Sequence, residues 1–305
     1  LPTVRSAAHA VLRTYGMTTV FGNPGSTEMG FFGDWPDDLR YVLALQEATA
    51  VAMADGWAQA TRNAAFVNVH SAAGLGNALG TLFTAYRNRT PMVILAGQQH
   101  RALFPHEPFL FADQATAFPR PYVKWAVEPA RAEDVPGALA RAYLTAMQAP
   151  RGPTFVSVPM DDWDAPAEAP PSRSVTGDPR VAPDALAALA DALAEARSPV
   201  LVVGAEVDAG GGFDDAVRLA ETAGTPVWAA PRAPRASFPE DHPAFAGFLP
   251  FDPAGVRAAL DGHDLIVVAG APVFTYHVAS DGPGVPPGAR LVQLCLLYTS
   301  DAADE

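Results

Sequence analysis

Short runs of apolar, often β-branched residues alternate along the chain with longer stretches whose apolar positions recur at helical spacing. Each short run reads as a buried strand and each longer stretch as a helix, which is typical of βα units and a mainly parallel sheet. The pattern occurs twice, so we predict an α/β fold made of two doubly wound parallel-sheet domains. The predicted strands are 18–21, 41–45, 65–69, 92–96 and 154–158, then 200–204, 226–230, 265–268 and 290–294.

A segment rich in Pro, Ser, Ala, Asp and Gly separates the two patterns, and such composition is typical of a linker. We therefore predict a first domain over 1–171, a linker over 172–182 and a second domain over 183–294, and the pattern leaves open whether the second domain is complete. Residues 295–305 show no pattern continuous with the second sheet. We predict an unrelated tail there and draw no functional conclusion from it.

Three successive strand-to-helix junctions of the first domain carry polar residues with chemical potential. Ser26 follows the turn 22–25, which only glycine and proline tolerate well, and reads as a helix N-cap. Glu47 opens the next helix, and His70 ends the third strand. If the sheet is parallel, all three lie at its carboxyl edge, where α/β proteins bind ligands. Ser26 and Glu47 also have plainer interpretations, since N-caps and carboxylates at helix N-termini are commonly structural.

Composition excludes several classes of function. The formal net charge of −13 over 305 residues, without a cluster of Lys or Arg, argues against a nucleic-acid partner. No apolar run approaches the ~20 residues that span a bilayer, and no charged leader precedes an apolar core, so we expect no membrane association and a cytoplasmic protein. Cys295 is the one cysteine, which excludes an internal disulfide and a cysteine-based zinc site.

Two further segments are weaker candidates. The loop 97–121 is long for a compact domain, and its apolar residues, among them Phe109 and Leu110, could line a pocket or anchor the loop. His277 lies just past a predicted strand end, a place where most histidines are structural. The glycines at 204 and 210–212 lack the spacing of a dinucleotide-binding loop, so we interpret them as a turn.

Taken together, the motifs resemble a known family. They read VFGNPGS at 20–26, ALQEA at 44–48, HSAAG at 70–74, AGQQ at 96–99, VPMDDWD at 158–164 and GAPVF at 270–274. The chain is similar over nearly its whole length to the N-terminal and middle portions of thiamin-diphosphate-dependent decarboxylases, and most of all to their benzoylformate decarboxylase branch. The resemblance implies a pyrimidine-binding-like domain followed by a Rossmann-like middle domain.

The resemblance also implies roles for the junction residues. Glu47 would hydrogen-bond N1′ of the cofactor's aminopyrimidine, and Ser26 would bind the substrate carboxylate or alkoxide. His70 and His277 would carry protons, which suits imidazoles because they titrate near neutrality. The cofactor-binding residues would be Asn23, Pro24, Gly25, Glu47 and His70, and the substrate pocket would comprise Ser26, Phe109 and Leu110.

One family feature is missing from the sequence. These enzymes hold the diphosphate through a divalent cation bound by a Gly-Asp-Gly segment and a later asparagine, and no Gly-Asp-Gly occurs here. We identify no metal ligand and expect those of Mg²⁺ in a C-terminal cofactor domain that the chain lacks. The expected function is a fragment of a decarboxylase that acts on arylglyoxylates, with a small 2-oxo acid as partner and a homo-oligomer, dimer or tetramer, at full length. We expect the fragment alone to be inactive. Two alternatives stay open: a non-catalytic oligomerisation or ligand-sensing protein, and an acetohydroxyacid synthase-like lyase.

Overall fold

The computed structural model describes residues 2–174 and 181–295. The chain divides into two compact units, Leu1–Gly177 and Asp178–Glu305. The exact limits that we place at 171 and 183 stay a prediction. Residues 175–180 of the predicted linker and 296–305 of the predicted tail lie outside the described residues.

The first unit is built on a six-stranded sheet in the order β2-β1-β3-β4-β6-β5, in which every neighbouring pair is parallel. An all-parallel order with β1 inside the sheet requires crossover helices on both faces, which is the doubly wound arrangement that the sequence predicts. The strands are β1 Thr19–Asn23, β2 Arg40–Leu43, β3 Ala65–Val69, β4 Met92–Gln98, β5 Trp125–Val127 and β6 Pro153–Pro159.

Helices cover both faces of this sheet. The α-helices are α1 Val4–Thr14, α2 Met29–Phe32, α3 Glu47–Thr61, α4 Ser71–Arg87 and α5 Val135–Met147, and short 3₁₀ helices span Ser26–Glu28, Arg101–His106 and Ala132–Asp134. Residues of α1 and α5 belong to one apolar core, and residues of α3 and α4 belong to the other. None of the helices in the described parts of the chain is long and apolar enough to cross a membrane.

Alternation along the strands assigns each side chain to one of the two cores. In β1, Val20 packs into the core under α1 and α5, and the next residue, Phe21, packs into the core under α3 and α4. Phe66 and Val67 of β3 divide in the same way. Both neighbours are buried because the strand is covered on both faces, which explains why these runs are continuously apolar.

The second unit repeats this plan with a five-stranded parallel sheet in the order β11-β10-β7-β8-β9. Its elements are α6 Pro183–Glu195, β7 Pro199–Val203, α7 Ala205–Ala209, α8 Phe213–Ala223, β8 Val227–Ala229, β9 Phe245–Phe248, α9 Pro253–Ala259, β10 Leu265–Ala269 and β11 Arg290–Leu294. Apolar cores lie on both faces, one including residues of α6 and α8 and the other residues of α9. The unit therefore has its own sheet and its own cores.

The structure adds two edge strands that the sequence analysis does not predict. β5 and β9 are three and four residues long, and each pairs with a single neighbour. So short a segment carries almost no periodic signal, and the neighbouring strand supplies most of its stabilisation. The structure also places a short helix, α7, within the segment that we interpret as a turn.

Candidate active site

Ser26, Glu47 and His70 lie at the carboxyl ends of three adjacent parallel strands. Ser26 follows β1, Glu47 begins α3 after β2, and His70 comes directly after β3 and precedes α4. The three strands are neighbours in the order β2-β1-β3. The structure therefore confirms that these junctions share one edge of the sheet, the edge at which open α/β sheets bind ligands.

Glu47 is a nearly buried carboxylate held by two amide side chains. It is 6% exposed and lies in the first turn of α3, where the positive end of the helix dipole favours a carboxylate. Asn23 Nδ2 donates to Glu47 Oε1 at 3.2 Å, and Asn77 Nδ2 donates to Oε2 at 3.1 Å. Gly74 permits this approach of α3 to α4, because a Cβ there would lie 2.8 Å from Glu47 Oε1.

Asn77 is a functional candidate that the sequence analysis misses. Nothing local connects it with Glu47, since the two residues are 30 positions apart. The sequence feature that could have identified it is its spacing in α4. Asn77 follows Gly74 by three residues and therefore lies on the same helix face as Gly74, the face that approaches Glu47. Asn23 is among the predicted cofactor-binding residues, and the structure shows that its side chain orients Glu47.

A second buried carboxylate, Glu28, lies beside His70, and the sequence analysis assigns it no role. Glu28 is 0% exposed. Its Oε2 accepts a hydrogen bond from Gly25 N at 2.9 Å and lies 2.8 Å from His70 Nδ1. Glu28 comes three residues after Gly25, the residue that precedes the 3₁₀ helix. This is the position of the carboxylate in a capping box, and it is the local sequence signal that points to Glu28.

His70 is enclosed on the side that faces β1. A Cβ on Gly25 would lie 2.2 Å from His70 Nδ1, so the imidazole packs directly on the backbone of the turn. Thr27 Oγ1 is also near this nitrogen, at 3.3 Å. The His70 side chain is 25% exposed, which leaves part of the ring accessible. Pro24 joins Asn23 to Gly25, so this one turn contacts both Glu47 and His70.

The structure corrects the N-cap interpretation of Ser26. Gly25 precedes the 3₁₀ helix, Ser26 is its first residue, and no side-chain hydrogen bond caps it. The side chain that bonds at this helix start is Glu28, whose Oε2 accepts a hydrogen bond from the Gly25 N–H. Ser26 is exposed, and its hydroxyl makes no hydrogen bond with residues 2–174. Ser26 therefore does not cap the helix, and its hydroxyl is available for a ligand.

Several buried polar groups behind the site lack partners. Tyr41 Oη, Asn68 Oδ1 and Ser71 Oγ have no hydrogen-bond partner in the described structure. Burial, together with the nearby Glu28 carboxylate, raises the pKa of Tyr41, which keeps its hydroxyl neutral. A Cβ on Gly22 would lie 2.5 Å from Tyr41 Oη and 3.1 Å from Asn68 Cβ, so these two side chains meet at the one glycine.

The remaining predicted residues lie elsewhere. Phe109 is fully exposed and Leu110 partly exposed in the loop between β4 and β5, and their assignment to a substrate pocket stays a prediction. His277 lies in the second unit, after β10, where its backbone N–H donates to Phe251 O at 2.8 Å. Its ring is exposed, and its assignment as a catalytic residue also stays a prediction.

The polar groups around Glu47 are compatible with the pyrimidine end of thiamin diphosphate. A carboxylate has about four acceptor positions. Asn23 and Asn77 occupy two of those on Glu47, so the carboxylate can still accept a hydrogen bond from a ligand. Within residues 2–174 and 181–295, no group of three or more His, Cys, Asp or Glu side chains could hold a metal ion.

Comparisons with known proteins agree with this arrangement. Residues 2–116 match the family model of the N-terminal thiamine pyrophosphate binding domain of thiamine pyrophosphate enzymes, and residues 186–299 match that of their central domain. Benzoylformate decarboxylase of Pseudomonas aeruginosa is 48% identical over 298 residues, an alignment that covers 96% of this chain and 56% of the relative.

Solved structures give the same result. The crystal structure of benzoylformate decarboxylase from Polynucleobacter necessarius aligns with a TM-score of 0.93 at 46% identity and covers 96% of this chain and 55% of its own. The thiamine diphosphate-dependent 4-hydroxybenzoylformate decarboxylase of Rhodococcus jostii RHA1 aligns with a TM-score of 0.94 at 44% identity, over 99% of this chain and 58% of its own. The chain thus spans little more than half the length of these relatives.

Proposed function

The chain belongs to the thiamine pyrophosphate enzymes, of which it carries the N-terminal and central domains, and we propose that it forms part of a thiamin-diphosphate-dependent 2-oxo acid decarboxylase. The proposed substrates are benzoylformate-like arylglyoxylates, and the products are an aldehyde and carbon dioxide. Two relatives, a benzoylformate decarboxylase and a 4-hydroxybenzoylformate decarboxylase, are named for aryl substrates, which supports an aryl substrate here.

One observation carries the proposal. Glu47 is a nearly buried carboxylate, fixed by two amide donors, at the edge of the sheet that also presents Ser26 and His70. A structural carboxylate at a helix N-terminus needs neither this burial nor this pair of side-chain donors. The arrangement is that of an acceptor oriented toward a bound group.

Glu47 would hold the aminopyrimidine through a hydrogen bond to its ring nitrogen. Because this carboxylate is removed from water, such a bond is stronger than at a solvated site and favours sharing of a proton. When bound, thiamin diphosphate supplies the carbon nucleophile and the electron sink that decarboxylation of a 2-oxo acid requires. The turn Asn23-Pro24-Gly25 would complete the binding surface, since it contacts both Glu47 and His70.

Ser26 and the histidines would act on the substrate. The exposed Ser26 hydroxyl can donate to a carboxylate or an alkoxide oxygen, because no group among residues 2–174 occupies it. His70 would hold or release a proton at the substrate oxygen, and His277 would do so in a separate step. Two proton transfers of opposite direction suit imidazoles, which change charge near neutral pH. Phe109 and Leu110 would line the aryl pocket.

Further parts of the proposal concern the complete enzyme. The diphosphate and its Mg²⁺ would be bound by a segment outside this chain, which the partial coverage of the relatives supports. A homo-oligomer, dimer or tetramer, and a cytoplasmic location complete the proposal. The exposed apolar residues of the first unit, such as Leu45 and Trp57, support association with a further protein surface.

Expression of the whole reading frame that contains this chain, with the Glu47→Gln variant, tests the function. Wild type should release carbon dioxide from benzoylformate, and Glu47→Gln should lower kcat by about 10²-fold or more because glutamine cannot share a proton in this way. The matched control is Glu128→Gln, which replaces another carboxylate that is hydrogen-bonded to neighbouring side chains in the same unit. An inactive wild type would overturn the proposed function, and near-normal turnover in Glu47→Gln would remove Glu47 from it.

A further inference from the structure

We propose that Glu28 is a positioning residue that fixes His70 in the tautomer with the proton on Nδ1, so that Nε2 is the nitrogen that exchanges protons at the site. The proposal rests on the proposed function only for the use made of His70. The tautomer itself follows from hydrogen bonds within the first unit.

One oxygen of Glu28 is surrounded by donors. Glu28 Oε1 accepts from Thr27 Oγ1 at 2.6 Å, from Ser71 N at 3.1 Å and from Gly97 N at 2.7 Å. The two backbone N–H groups can only donate. This oxygen therefore serves as an acceptor in every one of these contacts and cannot present a proton to any of them.

The other oxygen faces His70. Glu28 Oε2 accepts from Gly25 N at 2.9 Å and lies 2.8 Å from His70 Nδ1. The two oxygens of Glu28 thus receive four donors, as an ionised carboxylate does, and an ionised carboxylate is acceptor-only, so Nδ1 carries the proton that it shares with Oε2. The other neighbour of Nδ1, the Thr27 hydroxyl, donates to Glu28 Oε1, so it can only accept from the imidazole. In the neutral ring Nε2 is then left with its lone pair.

The surrounding backbone holds the pair in place. Ser71 has a φ of +50°, in the left-handed region that non-glycine residues rarely adopt, and it is 1% exposed. In this conformation the Ser71 N–H is hydrogen-bonded to Glu28. Strained backbone of this kind persists where surrounding contacts over-determine it, often at functional sites. The backbone of Gly25 also packs against the imidazole, since a Cβ at this position would lie 2.2 Å from His70 Nδ1.

A single isosteric substitution should reverse the tautomer. In Glu28→Gln, the carbonyl oxygen is expected at the Oε1 position, which has three donors, and the amide NH₂ at the Oε2 position, beside His70. The opposite orientation would set the NH₂ against those three donors and leave more of them unsatisfied. An NH₂ beside Nδ1 makes that nitrogen an acceptor, so the proton of neutral His70 should move to Nε2.

The test is nuclear magnetic resonance of the chain labelled with ¹⁵N-histidine, using long-range ¹H–¹⁵N correlations at a pH where the imidazoles are neutral. The chain has seven histidines, and His70→Asn identifies the His70 signals. Wild type should show a protonated Nδ1 and a bare Nε2, and Glu28→Gln should show the reverse. Glu128→Gln is the matched control and should leave the wild-type pattern.

A wild-type His70 protonated on Nε2 would overturn the proposal, and so would an unchanged pattern in a folded Glu28→Gln variant. If that variant does not fold, the wild-type spectrum alone decides the tautomer. In the whole reading frame, Glu28→Gln should lower kcat by about 10²-fold or more with little change in KM, because the proton-accepting nitrogen is lost while the binding groups remain. An unchanged kcat would overturn the positioning role. Absence of decarboxylation in wild type would refute the proposed function and leave the tautomer assignment to the spectrum.

Discussion

Replacing Gly25 with alanine should lower the free energy of unfolding of the first unit by about 2.5–6 kcal/mol. The backbone of Gly25, with φ −133° and ψ −161°, is extended and open to any residue, so the substitution adds no backbone strain. The cost is steric, because the new Cβ would lie 2.2 Å from His70 Nδ1 and 2.4 Å from Cγ and Cε1. The imidazole has to move by about 1 Å to reach an ordinary contact distance.

The magnitude follows from what that movement breaks. Overpacking of this kind costs about 1–3 kcal/mol. Displacing the ring also separates His70 Nδ1 from Glu28 Oε2, now 2.8 Å apart, and a hydrogen bond to a charged group contributes about 1.5–3 kcal/mol. Together these two costs give a destabilisation of about 2.5–6 kcal/mol.

The measurement is urea unfolding followed by tryptophan fluorescence. Of the five tryptophans, four lie in the first unit and Trp163 is fully buried in its core, so the signal reports mainly on that unit. Gly80→Ala is the matched control. Gly80 lies inside α4, and a Cβ there meets nothing within 4 Å, so the same substitution should stabilise by about 0.5–1 kcal/mol.

A double-mutant cycle isolates the cause. In a His70→Ala background the ring is absent, and Gly25→Ala should then cost less than about 1 kcal/mol. An equal loss in both backgrounds would show that the clash with His70 is not the reason. A Gly25→Ala variant as stable as Gly80→Ala would refute the reasoning altogether.

Two other predictions concern pH and the cofactor. His9 is buried between Phe31 and Trp35, and its Nε2 lies 3.0 Å from Phe31 O. Burial lowers the pKa of His9 below its ordinary value of 6.5. The contribution of His9 to the free energy of unfolding should therefore be complete above pH 6.5 and decrease as the pH falls through the folded-state pKa. Thermal melts at pH 7.5 and 5.5 should show a larger loss for wild type than for His9→Gln, and equal losses would contradict this assignment. Isothermal titration of the chain with thiamin diphosphate and Mg²⁺ should give a Kd of about 1 mM or weaker, because no described group of carboxylate and imidazole side chains bridges the diphosphate through a metal. Micromolar, magnesium-dependent binding would show that such a site exists.

Residues that depend on a local pattern were predictable from the sequence. The continuous apolar runs around Val20 and Phe66 mark strands that are covered on both faces, and the polar residue after each run therefore falls at the carboxyl edge of a parallel sheet. This reasoning placed Ser26, Glu47 and His70 correctly without any contact information. It failed for β5 and β9, because edge strands of three and four residues have too few positions to show a period.

The partners of these residues were decided only by the tertiary structure. Glu28 contacts His70 across 42 positions of sequence and Gly97 across 69, and Asn77 contacts Glu47 across 30. Hydrogen bonds over such separations arise when strands distant in sequence pair in one sheet. The pattern of apolar and polar residues along the chain does not reveal them. The sequence by itself therefore determined the fold class and the edge at which the site lies. The hydrogen-bond partners of the buried carboxylates depend on the order of the strands in the sheet. That order brings the ends of β1, β3 and β4 together.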